Sequence, residues 1–196
     1  MATLILSIII AVFFVIFERG RTNSRQIALI AALSAVAALG RIPFAGIPNV
    51  QPTTFIVIIS GYVLGPHAGF MVGAVAAVVS NFFLGQGPWT PWQMMAWGLA
   101  GMSAGLINKA IPNINKSQLA VLCGLWGYLF GWLMNLWTWA SYIYPHDFKS
   151  YLILGMASFW FDTLHAAGNV ILAWILGKEF VIIISRFKQK MTVNYI

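Results

Sequence analysis

Ser158, Asp162, His165 and Asn169 recur at steps of four, three and four residues. On a helix of about 3.6 residues per turn that spacing places all four on one face. The set holds a hydroxyl, a carboxyl, an imidazole and an amide inside the apolar run "SFWFDTLHAAGNVILAWIL". An acid at membrane depth is costly to bury and faces a bundle interior, paired or hydrated. Three uses fit this face: hydrogen bonding to a ligand, a network that ties helices together, or a proton relay through Asp162 and His165.

A second set reads the same way. Trp132, Asn135, Trp139 and Tyr142 form a helical stripe, and a buried amide such as Asn135 requires partners. Trp126 and Trp137 fall off the stripe and are expected to touch lipid. Gln93 and Trp97, four apart, share a face at the start of another helix. Before them runs "NFFLGQGPWTPWQM", residues 81–94. Pro88 and Pro91 restrict its backbone, and Gly85 and Gly87 permit tight turns, so it is a shaped loop. Trp89 and Trp92 suit either an interfacial aromatic belt or a stacking surface for a flat ligand. Arg41 ends an apolar run, where it either snorkels to headgroups or meets a polar ligand edge. The candidate substrate-binding set is therefore Arg41, Asn81, Trp89, Trp92, Gln93, Trp97, Asn135, Trp139, Tyr142, Asp162 and His165.

The elements that must position these residues follow from composition. The chain has 196 residues, 60% hydrophobic and 8% charged, against about 25% charged in a soluble domain. That balance specifies an integral membrane protein, and helices satisfy their backbone groups within lipid. Apolar runs at 1–17, 25–41, 53–65, 67–84, 92–110, 119–144 and 151–176 predict an all-α protein: a six-helix transmembrane bundle plus one additional N-terminal transmembrane helix. The expected divisions are the extra helix at 1–24, the bundle at 25–190 and a C-terminal tail at 191–196. Residues 177–190 would carry the last helix beyond a bilayer's thickness, so they are expected to leave the membrane or lie along its surface.

The net charge of +7 is distributed for orientation rather than for nucleic acid. Arg19, Arg21, Arg25, Lys109, Lys116, Lys178, Arg186, Lys188 and Lys190 fall on one side of this layout, and Arg41 and Lys149 on the other. The positive-inside rule makes the first side cytoplasmic, with the C-terminus there and the loops at 41–52, 84–91 and 144–151 outside. The single cysteine, Cys123, reads as a small core residue. No phosphate-binding loop, zinc motif or nucleophile elbow is present, so neither intrinsic ATP hydrolysis nor a metal site is expected. Ala28/Ala32 and Ala31/Ala35 are small-xxx-small pairs on one helix face. They permit close backbone approach to another helix, in this chain or in a partner.

This combination resembles the substrate-binding S components of energy-coupling factor (ECF) vitamin transporters: six core helices, an alanine face on the first of them, elaborate loops on one side and a basic end on the other. The resemblance covers about residues 25–190, and the loop "NFFLGQGPWTPWQM" is similar to that of cobalamin-type S components. It implies capture of a vitamin from outside the cell membrane, cobalamin or another corrinoid first, a flavin or pteridine as alternative. It also implies docking of Ala28, Ala31, Ala32 and Ala35 on a membrane coupling subunit driven by two cytoplasmic ATPases. The additional N-terminal helix departs from the six-helix pattern. Two rivals of other classes are a stand-alone proton-coupled carrier using Asp162 and a non-transporting membrane scaffold.

Overall fold

The computed structural model describes residues 2–20 and 23–192, with side chains through residue 190. Arg21 and residues 193–196 of the expected tail lie outside the described residues. The described chain forms seven helices: α1 (Ala2–Arg19), α2 (Ser24–Arg41), α3 (Thr53–Leu64), α4 (Pro66–Leu84), α5 (Thr90–Ala110), α6 (Lys116–Tyr142) and α7 (Phe148–Thr192). Four of them, α1, α4, α6 and α7, are long and apolar enough to cross a membrane.

Local chemistry sets the boundaries. Asn23 caps α2 by accepting from the Gln26 amide, and Asn115 and Gln118 form a reciprocal capping box on α6. Gly65 turns α3 into α4 at φ 100°, a conformation that disfavours a side chain, and Pro66 then starts α4 where no amide hydrogen is needed. The Tyr62 hydroxyl donates to the Ile111 carbonyl and accepts from the Ile114 amide, fastening the end of α3 to the connector between α5 and α6.

The 12-residue α3 is the axis of the bundle and is buried from Thr53 to Val63. It meets α4 and α5 through glycine: a Cβ on Gly61 or Gly69 would overlap the Gly101 backbone. Helices in lipid gain most from such backbone-close dispersion contact. The α6–α7 pair uses the same device, with Gly127 against the Ala166 backbone and Gly131 beneath the Asp162 carboxylate. α1 lies on the α4–α5 flank, where Phe13 stacks on Phe70 at 4.3 Å.

Two expectations are corrected. The segment 177–190 does not turn away from the helix that precedes it, as a segment lying along a surface would. It continues α7, a helix of 45 residues or about 67 Å, and packs on α3. Phe180 meets the edge of Phe55, Ile184 is 2% exposed, and Lys188 Nζ donates to the Val63 carbonyl at 2.7 Å. The physical cause is the spacing of Phe180, Ile184 and Lys188, four apart on one face. Trp126 is buried rather than lipid-facing, because its indole N–H donates to Ser103 Oγ at 2.8 Å.

Candidate functional site

Arg41, at the last turn of α2, is fixed from three directions. Its Nε donates to Gln51 Oε1 at 2.7 Å, and one terminal nitrogen donates to Ser80 Oγ at 2.9 Å and Asn81 Oδ1 at 2.8 Å. The guanidinium carbon stands 5.0 Å from the centroid of the Trp97 ring, a cation–π contact. Asn81 in turn donates to Gln93 Oε1 and Thr90 Oγ1, and Thr90 donates to Gln86 Oε1. A continuous hydrogen-bond chain thus runs from the cation of α2 through α4 into the loop before α5.

Arg41 opens onto a cavity of about 400 Å³ at the end of the bundle that carries the loops 42–52 and 85–89. Gln93 of α5 and Phe130, Met134 and Asn135 of α6 line it, with Phe161 and Asp162 of α7 opposite. Asn135 Nδ2 donates to Ser158 Oγ at 2.8 Å, and Ser158 donates to Asp162 Oδ2 at 2.8 Å. The loop 42–52 contributes Phe44, Ala45 and Ile47 to the lining, with Ala45 and Ile47 exposed.

The polar face of α7 divides in two. Ser158 and Asp162 reach the cavity; His165 and Asn169 do not. His165 is fully buried, with Nε2 2.8 Å from Thr54 Oγ1 and Nδ1 2.8 Å from the Asn49 carbonyl oxygen. Because a carbonyl only accepts, Nδ1 carries the hydrogen. Thr54 then donates to Nε2 while accepting from the Trp97 indole N–H at 2.9 Å. With both ring nitrogens engaged, His165 has none free for a ligand. Asn169 Oδ1 accepts from the Phe55 amide and so satisfies an orphan donor at the start of α3.

Of the residues expected to bind substrate, Arg41, Gln93, Asn135 and Asp162 line this one cavity. Asn81, Trp97 and His165 stand in the layer behind it. Trp89, Trp92, Trp139 and Tyr142 are placed elsewhere. Trp89 packs edge-on to Trp137, and Trp92 donates to Thr3 Oγ1 of α1. Trp139 donates to Ser150 Oγ and meets His146, and Tyr142 packs on Trp137. A helical stripe predicts angular neighbours on its own helix, and here the neighbouring turn took those rings.

Three contributors were not singled out in the sequence. Gln51 holds Arg41. Asn49, at φ 54°, points its carbonyl at His165 and donates from its side chain to the Phe161 carbonyl. Gly131 makes room for Asp162. Asn49 is a residue type that tolerates the left-handed region, and Gly127/Gly131 is a small-xxx-small pair, so both had a readable signal.

The alanine face of α2 is turned outward. Ala28, Ala31 and Ala32 are exposed and Ala35 is half-buried, whereas Ala37 and Ala38 are buried against the bundle.

The chain is similar in sequence to several known proteins. A UPF0397 protein of Aliivibrio fischeri (strain MJ11) is 25% identical over 184 residues, covering 87% of this chain and 95% of the relative. One from Vibrio vulnificus (strain YJ016) is 26% identical over 169 residues, 79% and 87% of the two chains. A third, from Vibrio atlanticus, is 28% identical over 102 residues, about half of each. No solved structure matches. The model of the family described as "ECF transporter, substrate-specific component" matches residues 25–177, the stretch from α2 through most of α7. The chain therefore belongs to the family of ECF transporter substrate-specific components, proteins of transport rather than enzymes.

Proposed function

We propose that this protein captures a small vitamin-class molecule from outside the cell and delivers it inward with an ECF module of one membrane coupling subunit and two ATPases. The observation that carries the reading is the separation of two surfaces on α2. Arg41 at its end reaches into a 400 Å³ cavity, while Ala28, Ala31 and Ala32 face away from the bundle. Ligand and partner are thereby met by different faces of one helix.

In this reading residues 25–190 are the six-helix substrate-binding unit, and α1, within residues 1–24, is an additional membrane helix. Residues 191–196 form the tail. The basic end, with the C-terminus, is cytoplasmic, and the cavity opens to the outside. α1 lies on α4 and α5, which leaves the alanine face clear for a coupling subunit. The docked complex would expose the cavity inward by reorientation of the whole bundle, driven by ATP hydrolysis in the partner subunits.

The cavity falls at the small end of the range for ligand sites, about 300–1,000 Å³. That supports the flavin- or pteridine-sized alternative among the expected vitamins. Cobalamin, the first expectation from the loop resemblance, is larger than this space.

The test uses the full chain purified in nanodiscs. Binding of a vitamin panel is measured, then uptake into liposomes with and without the coupling subunit and ATPases. Tight binding by the chain alone, with uptake only when the module is present, is the expected result. Uptake by the lone chain would instead identify a self-sufficient carrier, and no binding across the panel would identify a scaffold.

A further inference from the structure

We infer that the ligand is dipolar: a flat ring that carries an anionic group at the end meeting Arg41 and an amino-type donor at the end meeting Asp162. This rests on the capture reading and specifies the chemistry of the same cavity.

The two charged groups that line the cavity are each half-engaged. Arg41 uses Nε and Nη1 on Gln51, Ser80 and Asn81, all of them uncharged. Among the described residues Nη2 has no hydrogen-bond partner and no carboxylate pairs with the guanidinium. Asp162 is 2% exposed and accepts from Ser158 through Oδ2 alone. Its Oδ1 lies over Gly131, another residue of the cavity wall. No buried side-chain nitrogen or oxygen among the described residues lacks a partner. Arg41, with Nη2 unbonded, and Asp162, with Oδ1 unbonded, both line the cavity, and Asp162 also borders a second hollow on the α6–α7 face beside Tyr128, Trp132 and Tyr151.

The arrangement selects by desolvation. A ligand that displaces water from this cavity must replace the hydration of a cation and of a carboxyl, or leave them buried without partners. A neutral apolar ligand replaces neither. A simple anion satisfies Arg41 and is repelled by the carboxylate; a simple cation does the reverse. A molecule with a carboxylate or phosphate at one end and an amino donor at the other satisfies both. Phe130, Met134 and Phe161 line the space with apolar surface suited to the ring, and Phe130 is itself held by stacking on Trp97 at 4.6 Å.

The experiment has two stages, both on the full chain in nanodiscs. First, small molecules retained through purification are released and identified by mass spectrometry. Binding of pterin-6-carboxylate, thiamin, riboflavin and cobalamin is measured by calorimetry. The retained or tightest-bound molecule is expected to carry both an anion and an amino donor. Second, that molecule is compared with its methyl ester and its N-acetyl form. On the unsubstituted chain each modification should weaken binding about tenfold or more, the loss expected for a charged hydrogen bond. The ester penalty should vanish in Arg41→Gln and the acetyl penalty in Asp162→Asn. A best ligand lacking either group, or penalties under about threefold, overturns the inference and leaves the capture reading standing. Absence of any retained or bound molecule overturns the capture reading, and this inference with it.

Discussion

The carboxylate of Asp162 lies directly over the backbone of Gly131, so close that a Cβ at residue 131 would overlap it. The acid of α7 therefore keeps its place in the cavity wall because α6 has no side chain at that point. Gly131→Ala should push the carboxylate aside and weaken ligand binding about tenfold or more, the scale of a lost charged hydrogen bond. Gly155→Ala, where a Cβ meets nothing within 4 Å, is the control and should bind normally. Calorimetry on both variants checks the pair; equal binding would mean that Asp162 is not held by this contact.

Asn81 is the joint between Arg41, Gln93 and Thr90. Asn81→Ala removes an acceptor from a cation and a donor from two side chains, at a cost of about 1–3 kcal/mol. The melting temperature of the purified chain should fall, and ligand affinity with it, because Arg41 loses one of its anchors. An unchanged melting curve would show that water or another side chain replaces the amide.

Ala32 tests the division of labour on α2. Ala32→Trp places a large ring on the outward face, away from the cavity, and blocks close approach of another helix. Ligand binding should be retained and module-dependent uptake lost. Loss of binding in a monodisperse, folded variant would refute the separation of the two surfaces.

Ile184 tests the packing of the α7 end. It is 2% exposed, whereas Ile183 is 48% exposed. Ile184→Ala should destabilise the chain by about 2 kcal/mol or more, and Ile183→Ala by less than about 0.5 kcal/mol. Thermal unfolding of the two purified variants in detergent measures the difference, and equal shifts would mean that residues 177–190 do not pack on α3.

What the sequence determined by itself was everything governed by short-range rules. Apolar run length located the helices, although α6 starts at Lys116, three residues before the expected 119, and the four-three-four spacing put Ser158, Asp162, His165 and Asn169 on one face. Each depends only on residues a few positions apart. Tertiary structure decided which side chains share a space. Nothing within α7 tells that Asp162 lines the cavity while His165, one turn on, is consumed by Thr54 and Asn49. Nor does the stripe on α6 tell that Asn135 turns inward while Trp139 braces Ser150. Those outcomes follow from where helices cross, and the crossings are set by backbone contacts at Gly61, Gly69 and Gly101 and at Gly127 and Gly131. Helical period fixes the direction of a side chain on its own helix. Only the depth and angle at which a second helix approaches fix what that side chain meets.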